Sequence, residues 1–125
     1  MRFLMEARLK ALIVDDEVDM CHLLSEILKH KNLQASYVNS IRDAKRVLLE
    51  DNPSIIFLDN HLPDGFGINF IKEIKLLHPK AKIVMITAHD TTADRAKAYM
   101  QGVDQFMGKP FTREMVFRTL ENLLN

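Results

Sequence analysis

The chain has 125 residues, 47% of them hydrophobic, which is the size and composition of one domain able to bury a single core. Seventeen Lys and Arg balance seventeen Asp and Glu, so the net charge is zero and offers no electrostatic footprint for direct nucleic-acid binding or an anionic membrane. The single cysteine, Cys21, excludes an internal disulfide and fits a reducing, cytoplasmic setting, and no apolar run is long enough to span a bilayer.

In chain order, residues 1–8 read as an N-terminal extension, because Arg2, Glu6 and Arg8 break up the apolar run that a signal peptide needs. The single domain is expected over 9–125. Leu9 to Val14 is a β-branched apolar run that passes straight into Asp15-Asp16-Glu17. A helix follows, with Met20, Leu23, Leu24, Ile27 and Leu28 on one stripe and Val18, His22, Ser25 and Lys29 opposite. Leu33 to Val38 is the second strand. Ser40 then stands as a helix cap before Ile41-Arg42-Asp43, in a helix running to about Glu50. Ser54 to Leu58 is the third strand, ending at Asp59 and the turn-rich Asn60-His61-Leu62-Pro63-Asp64-Gly65-Phe66-Gly67. Ile68 to Leu77 is helical, Lys82 to Thr87 is the fourth strand, and Thr91 to Gln101 is an alanine-rich, weakly amphipathic helix. Gln105 to Met107 is the fifth strand, and Thr112 to Leu124 the last helix. Strands alternating with amphipathic helices predict an α/β fold, a parallel five-stranded sheet in a (βα)5 arrangement with helices on both faces. The third and fourth strands read as the most buried.

Ligands of such sheets bind at the C-terminal ends of the strands. Those ends supply Asp15, Asp16, Asp59, Thr87 and, just beyond the fifth strand, Lys109. Three carboxylates brought together repel one another and require cations. Lys109 supplies one. All-oxygen ligation with room for water suits Mg²⁺ as the other. Such a set fits phosphoryl chemistry: a carboxylate nucleophile forms an acyl phosphate while a divalent cation, an ammonium and a hydroxyl neutralise the phosphoryl oxygens.

Taken together, Asp15-Asp16, Asp59, Leu62-Pro63 with Gly67, Thr87-Ala88 and Lys109-Pro110-Phe111 make residues 9–124 resemble the receiver domains of two-component response regulators. The resemblance implies a flavodoxin-like sheet of order 2-1-3-4-5 and a cis peptide between Lys109 and Pro110. It implies that Asp59 accepts a phosphoryl group from a sensor histidine kinase or phosphotransfer protein. Asp16, Asp59 and the His61 backbone carbonyl would ligate Mg²⁺, with Asp15 acting through water. Thr87, Ala88 and Lys109 would bind the phosphoryl group, Lys109 pairing first with Asp59. Phe106 takes the place of the family's switch aromatic, and lacking a hydroxyl it is expected to prefer the inward rotamer. His61 and His89 flank the acyl phosphate and are candidates for controlling water access. The output surface, and any homodimer, would use the fourth helix, fifth strand and fifth helix, where Asp94, Arg95, Lys97, Asp104, Arg113 and Arg118 offer charges. Val18, Cys21, His22 and Ser25 beside the acidic pocket are the expected kinase-docking residues. Phe66 departs from the family, many members carrying aspartate there.

The expected activity is signalling, limited to self-phosphorylation and autodephosphorylation. Its principal rival is a degenerate receiver that binds partners independently of phosphorylation. A haloacid-dehalogenase phosphatase would want aspartate where His61 stands, and a flavin or dinucleotide module would want a glycine-rich loop in place of Asp15-Asp16-Glu17. An effector domain in a longer protein would be a further partner of such a receiver.

Overall fold

The structure is a computed structural model describing residues 9–88 and 91–124. In chain order its elements are β1 (Lys10–Val14), α1 (Val18–Lys29), β2 (Gln34–Val38), α2 (Ile41–Glu50), β3 (Ile55–Asp59), the short β4 (His61–Leu62) and β5 (Gly65–Phe66), and a 3-10 turn (Gly67–Phe70). There follow α3 (Ile71–Leu77), β6 (Lys82–Thr87), α4 (Thr92–Gln101), β7 (Gln105–Gly108) and α5 (Arg113–Leu124). The main sheet runs β2-β1-β3-β6-β7 with every neighbouring pair parallel. This is the expected 2-1-3-4-5 order once the β4–β5 hairpin is set aside. The proposed extension, residues 1–8, lies outside the described residues.

Side chains along a strand point alternately to opposite faces. Leu12, Val14, Ile56, Leu58, Ile83 and Met85 therefore join Ala44, Leu48, Ile71, Ile74 and Ala98 in one cluster under α2, α3 and α4. Ala11, Ile13, Ile55, Phe57, Val84 and Ile86 join Leu24, Leu28, Val116 and Leu120 under α1 and α5. A parallel sheet covered on both faces needs continuous apolar strands, and Ile55, Ile56, Phe57 and Leu58 are all wholly buried. The chain leaves β1 in one direction to β2 and returns across it to β3, so a crevice opens between the ends of β1 and β3.

Several boundaries differ from expectation. Leu9, Leu33 and Ser54 lie just before their strands, while Asp59 and Gly108 are paired within theirs. In α1 the buried residues are Cys21, Leu24, Ile27 and Leu28, whereas Leu23 is half exposed. The true stripe steps 21, 24, 28 along the helix, and a small thiol fills the position nearest the strand ends. The helix expected from Ile68 begins instead as the 3-10 turn, because the chain enters it directly from the hairpin and buries Ile68 and Phe70 at once.

Two caps fix the start of α2. Ser40 Oγ accepts from the Asp43 N–H at 3.1 Å, as its position predicts. Asp64, from the β4–β5 turn, accepts the N–H groups of Ile41 and Arg42, both at 2.9 Å. Those two N–H donors hold the Asp64 carboxyl below its ordinary range. The turn after Asp59 is thereby bolted to a neighbouring helix. At the opposite edge of the sheet Asp104 Oδ2 accepts from the Ile83 N–H and from Lys75 Nζ, both at 2.8 Å. Asp104 is thus a structural tie between α3, β6 and β7 and is not a free charge of an output surface.

Candidate functional site

Residues at the C-terminal ends of β1, β3 and β6, with Lys109 beyond β7, meet in an open cleft of about 290 Å³ lined by Asp16, Glu17, Asp59, His61, Ala88 and Lys109. Asp15, Asp16 and Asp59 each place a carboxylate oxygen within 4.8 Å of the others. Asp15 is wholly buried beneath the cleft and Asp59 is 4% exposed, whereas Asp16 faces solvent. Apolar strands thus deliver two buried acids, and the loop after β1 adds a third.

Asp15 is held from several sides. Its Oδ1 accepts from the Glu17 N–H at 2.9 Å, and its backbone carbonyl accepts from Asn39 Nδ2 at 2.8 Å and Cys21 Sγ at 3.3 Å. Its Oδ2 lies 2.8 Å from Lys109 Nζ, an ion pair by distance whose angles depart from those of a hydrogen bond. The same ammonium donates to Glu17 Oε1 at 2.8 Å and stands 3.8 Å from Asp59 Oδ1. The expected pairing of Lys109 with Asp59 is therefore the longest of its three. One ammonium serves three carboxylates, and Glu17, not foreseen as a partner of Lys109, takes a share of it.

Burial first, and then the neighbouring Asp15 charge, push the Asp59 carboxyl up to about 6, the Lys109 ammonium opposing them. Burial alone would lower Lys109, but the carboxylates of Asp15, Glu17 and Asp59 more than offset it and raise its pKa. Thr87 is buried at the end of β6, and its carbonyl accepts from the Lys109 N–H at 2.8 Å, tying the two strand ends together. The Lys109–Pro110 peptide is cis. Phe106 is 7% exposed, inside the cluster under α4, with the Arg95 guanidinium 5.0 Å from its ring centroid. His89 lies outside the described residues.

Cys21 is also wholly buried, so it drops out of the docking residues expected on α1, where Val18 and His22 are exposed and Ser25 is half-buried. Burial and the Asp15 charge push the Cys21 thiol up to about 11. Its thiolate fraction at pH 8 should fall about 100-fold below that of an unperturbed thiol. A chromogenic disulfide reagent should accordingly label the native protein only at the rate of its unfolding, and label it at once in denaturant.

The hairpin that follows Asp59 was not legible as strands. His61 pairs with Phe66 and Leu62 with Gly65, a ladder too short for any alternation to show. Asn60, buried beside Asp59, supports it: its carbonyl accepts from the Gly67 N–H at 2.8 Å and its Oδ1 from the Ile68 N–H at 3.0 Å.

Comparison with known proteins gives the family. The family model of the response regulator receiver domain matches residues 11–121. The response regulator protein PilR of Pseudomonas aeruginosa is 33% identical over 104 residues, which cover 83% of this chain but 23% of PilR, so the chain spans about a quarter of that relative's length. Among solved structures, the beryllofluoride-activated receiver domain dimer of NtrC4 is 32% identical with a TM-score of 0.87, covering 91% of this chain and 94% of that one. A Burkholderia pseudomallei response regulator with a phosphorylated aspartic acid, calcium ion and citrate has a TM-score of 0.85 at 22% identity, over 90% of this chain and 66% of its own, and shows the shared fold. The three clustered acids, the strand-end threonine and lysine, and a family match spanning nearly the whole chain place this protein in the response regulator receiver domain family.

Proposed function

We propose that Asp59 accepts a phosphoryl group from the phosphohistidine of a sensor kinase or phosphotransfer protein and that the acyl phosphate switches an output surface. The observation that carries this reading is the meeting of Asp15, Asp16 and Asp59 around a single lysine ammonium. That excess of carboxylate, with an acid oxygen of Asp15 buried and without a hydrogen bond, suits a hard divalent cation, and Mg²⁺ suits a site that also takes phosphoryl oxygens and water. Asp16, Asp59 and the His61 carbonyl would hold it, with Asp15 acting through water. It would supply charge neutralisation of the phosphoryl oxygens.

In the transfer, an Asp59 carboxylate oxygen attacks phosphorus, the phosphorus–nitrogen bond of the donor breaks, and its electron pair returns to the imidazole. An Asp59 pKa of about 6 leaves the group ionised at neutral pH, as a nucleophile must be. Lys109 is free to exchange a carboxylate contact for a phosphoryl oxygen, and Thr87 and Ala88 at the end of β6 offer a hydroxyl and a backbone N–H to others. Activity of this kind ends with the protein's own phosphorylation and hydrolysis. The α4–β7–α5 face would carry the output, by homodimerisation or by contact with an effector domain. Tyr99 and Met100 are exposed there, and the NtrC4 receiver of similar sequence is a dimer when activated. No described helix is long and apolar enough to cross a membrane, and we assign the exchange with the kinase to the cytoplasm.

Intact mass after incubation with Mg²⁺ and acetyl phosphate tests the reading. Wild type should gain one phosphoryl group, and Asp59→Asn, or wild type in EDTA, should gain none. An adduct that persists in Asp59→Asn would place the acceptor elsewhere. Failure of wild type to bind either Mg²⁺ or phosphoryl would favour a degenerate receiver.

A further inference from the structure

Phe66 is the large side chain that the fold does least to bury near the site. It is 53% exposed and belongs to neither core cluster. Its backbone is nevertheless well fixed. The hairpin is closed by the Gly67 N–H bond to Asn60 and tied to α2 through Asp64. Residues opposite each other in an antiparallel pair stand on the same face, and Phe66 stands opposite His61. The two rings meet edge to face, with centroids 5.6 Å apart and planes at 79°. His61 lines the cleft above Asp59, whereas Phe66 does not.

That arrangement bears on how an acyl phosphate at Asp59 would be lost. In hydrolysis a water oxygen bonds to phosphorus on the side opposite the Asp59 oxygen, the bond from phosphorus to that oxygen breaks, its electron pair returns to the carboxylate, and a water proton leaves to phosphate or solvent. The water must enter by the mouth of the cleft, since the floor is the end of a buried strand. Of the side chains at the mouth, Asp16, Asp59 and Lys109 are engaged with cation and phosphoryl group in the function proposed above. Glu17 is drawn to Lys109 and Ala88 has only a methyl. Among the described residues, His61 remains as the one side chain at the mouth large enough to exclude water.

We propose that Phe66 is a positioning residue that holds the His61 ring over the cleft and so lengthens the life of the acyl phosphate. This rests on Asp59 being the phosphoryl acceptor. Its effect runs through His61 alone, because Phe66 does not line the cleft itself. Releasing His61 should hasten hydrolysis roughly two- to tenfold, the span that an aromatic pair's interaction permits.

The test is to phosphorylate the protein with acetyl phosphate and Mg²⁺, remove the donor, and follow loss of the adduct by intact mass in Phe66→Ala, Phe66→Tyr, His61→Ala and the double variant Phe66→Ala/His61→Ala. Phe66→Ala should shorten the lifetime, Phe66→Tyr should restore it, and Phe66→Ala should change nothing further once His61 is alanine. A wild-type lifetime in Phe66→Ala, or an undiminished effect in the His61→Ala background, would overturn the proposal. The His61 ring-proton shifts report the contact without phosphorylation, and unchanged shifts in Phe66→Ala would refute it. If wild type itself forms no adduct, the acceptor reading has failed and the lifetime role with it. Failure of the Phe66 role alone leaves a wild-type adduct in place.

Discussion

Replacing Asp59 by asparagine should stabilise the Mg²⁺-free protein at pH 7, by about 2 kcal/mol if most of the pKa displacement is realised, one pKa unit being worth about 1.4 kcal/mol. The cause is first the burial of the Asp59 carboxylate and then its crowding with Asp15 and, more weakly, Asp16, which the Lys109 ammonium only partly offsets. The sign follows from linkage. Asp59 binds its proton more tightly in the fold, at about 6 against an ordinary 3.8, so between those values the native state holds more protons than the unfolded chain. Wild-type stability therefore falls as pH rises through this window, and the cost is complete above about pH 6. Asparagine carries no such cost, so the advantage of Asp59→Asn should be small near pH 4, grow through pH 5, and level off by pH 7. Urea denaturation in EDTA across that range measures it. Mg²⁺ should then narrow the gap, since a cation bound to the native site stabilises wild type by mass action and finds one carboxylate fewer in the variant. A gap independent of both pH and Mg²⁺ would mean that packing, rather than charge, separates the two proteins.

The same crowding explains why so much of the site was legible in the sequence. An acid directly after an apolar strand has its position fixed by the sheet, so Asp15, Asp59 and Thr87 could be placed at one rim from periodicity alone. Side chains whose partners depend on reach were less accessible. Lys109 lies beyond a strand end and could turn to any of four carboxylates. The structure sends it first to Asp15 and Glu17, because Asp15 is the more deeply buried acid and Glu17 can approach from solvent. Cys21 fails as a docking residue for a different reason. It lies at the margin of the apolar stripe of α1, and only the descent of that helix toward Asp15 turns it into core. Asp104 read as a surface charge because nothing in its neighbourhood in sequence announces Lys75, 29 residues away. Phe106 was expected inward for want of a hydroxyl, and the structure leaves it 7% exposed. What could not be anticipated is the Arg95 guanidinium over its ring, which adds a cation–π contact to the burial that an outward swing would forfeit.

Gly67 carries a heavy steric constraint beside Asp59, and Gly67→Ala should cost about 3 kcal/mol or more, at the upper end of what overpacking does. An added Cβ would collide with the Asp59 carbonyl oxygen and lie 3.0 Å from Leu58 Cγ. The first of these is backbone and cannot rotate away. Relief must come from moving the end of β3 or the hairpin. The strand end is held between β1 and β6, and the hairpin is held by Asn60 and by the cap that Asp64 gives α2. Whichever yields, the Asp59 carboxylate shifts relative to Asp15 and Lys109, so the variant should lose phosphoryl uptake from acetyl phosphate together with its stability. Gly65→Ala makes the informative comparison. That residue has φ of 152° and its added Cβ would meet only the Ile41 Cδ1 methyl, at 3.1 Å. Because a side-chain methyl can turn aside, the loss there should be nearer 1 kcal/mol, mostly backbone strain, and Asp59 should keep its reactivity. Urea denaturation midpoints with adduct yields for the two variants separate a requirement for close backbone approach from a requirement for glycine's conformational freedom. A wild-type midpoint in Gly67→Ala would show that the turn after Asp59 gives way without disturbing β3.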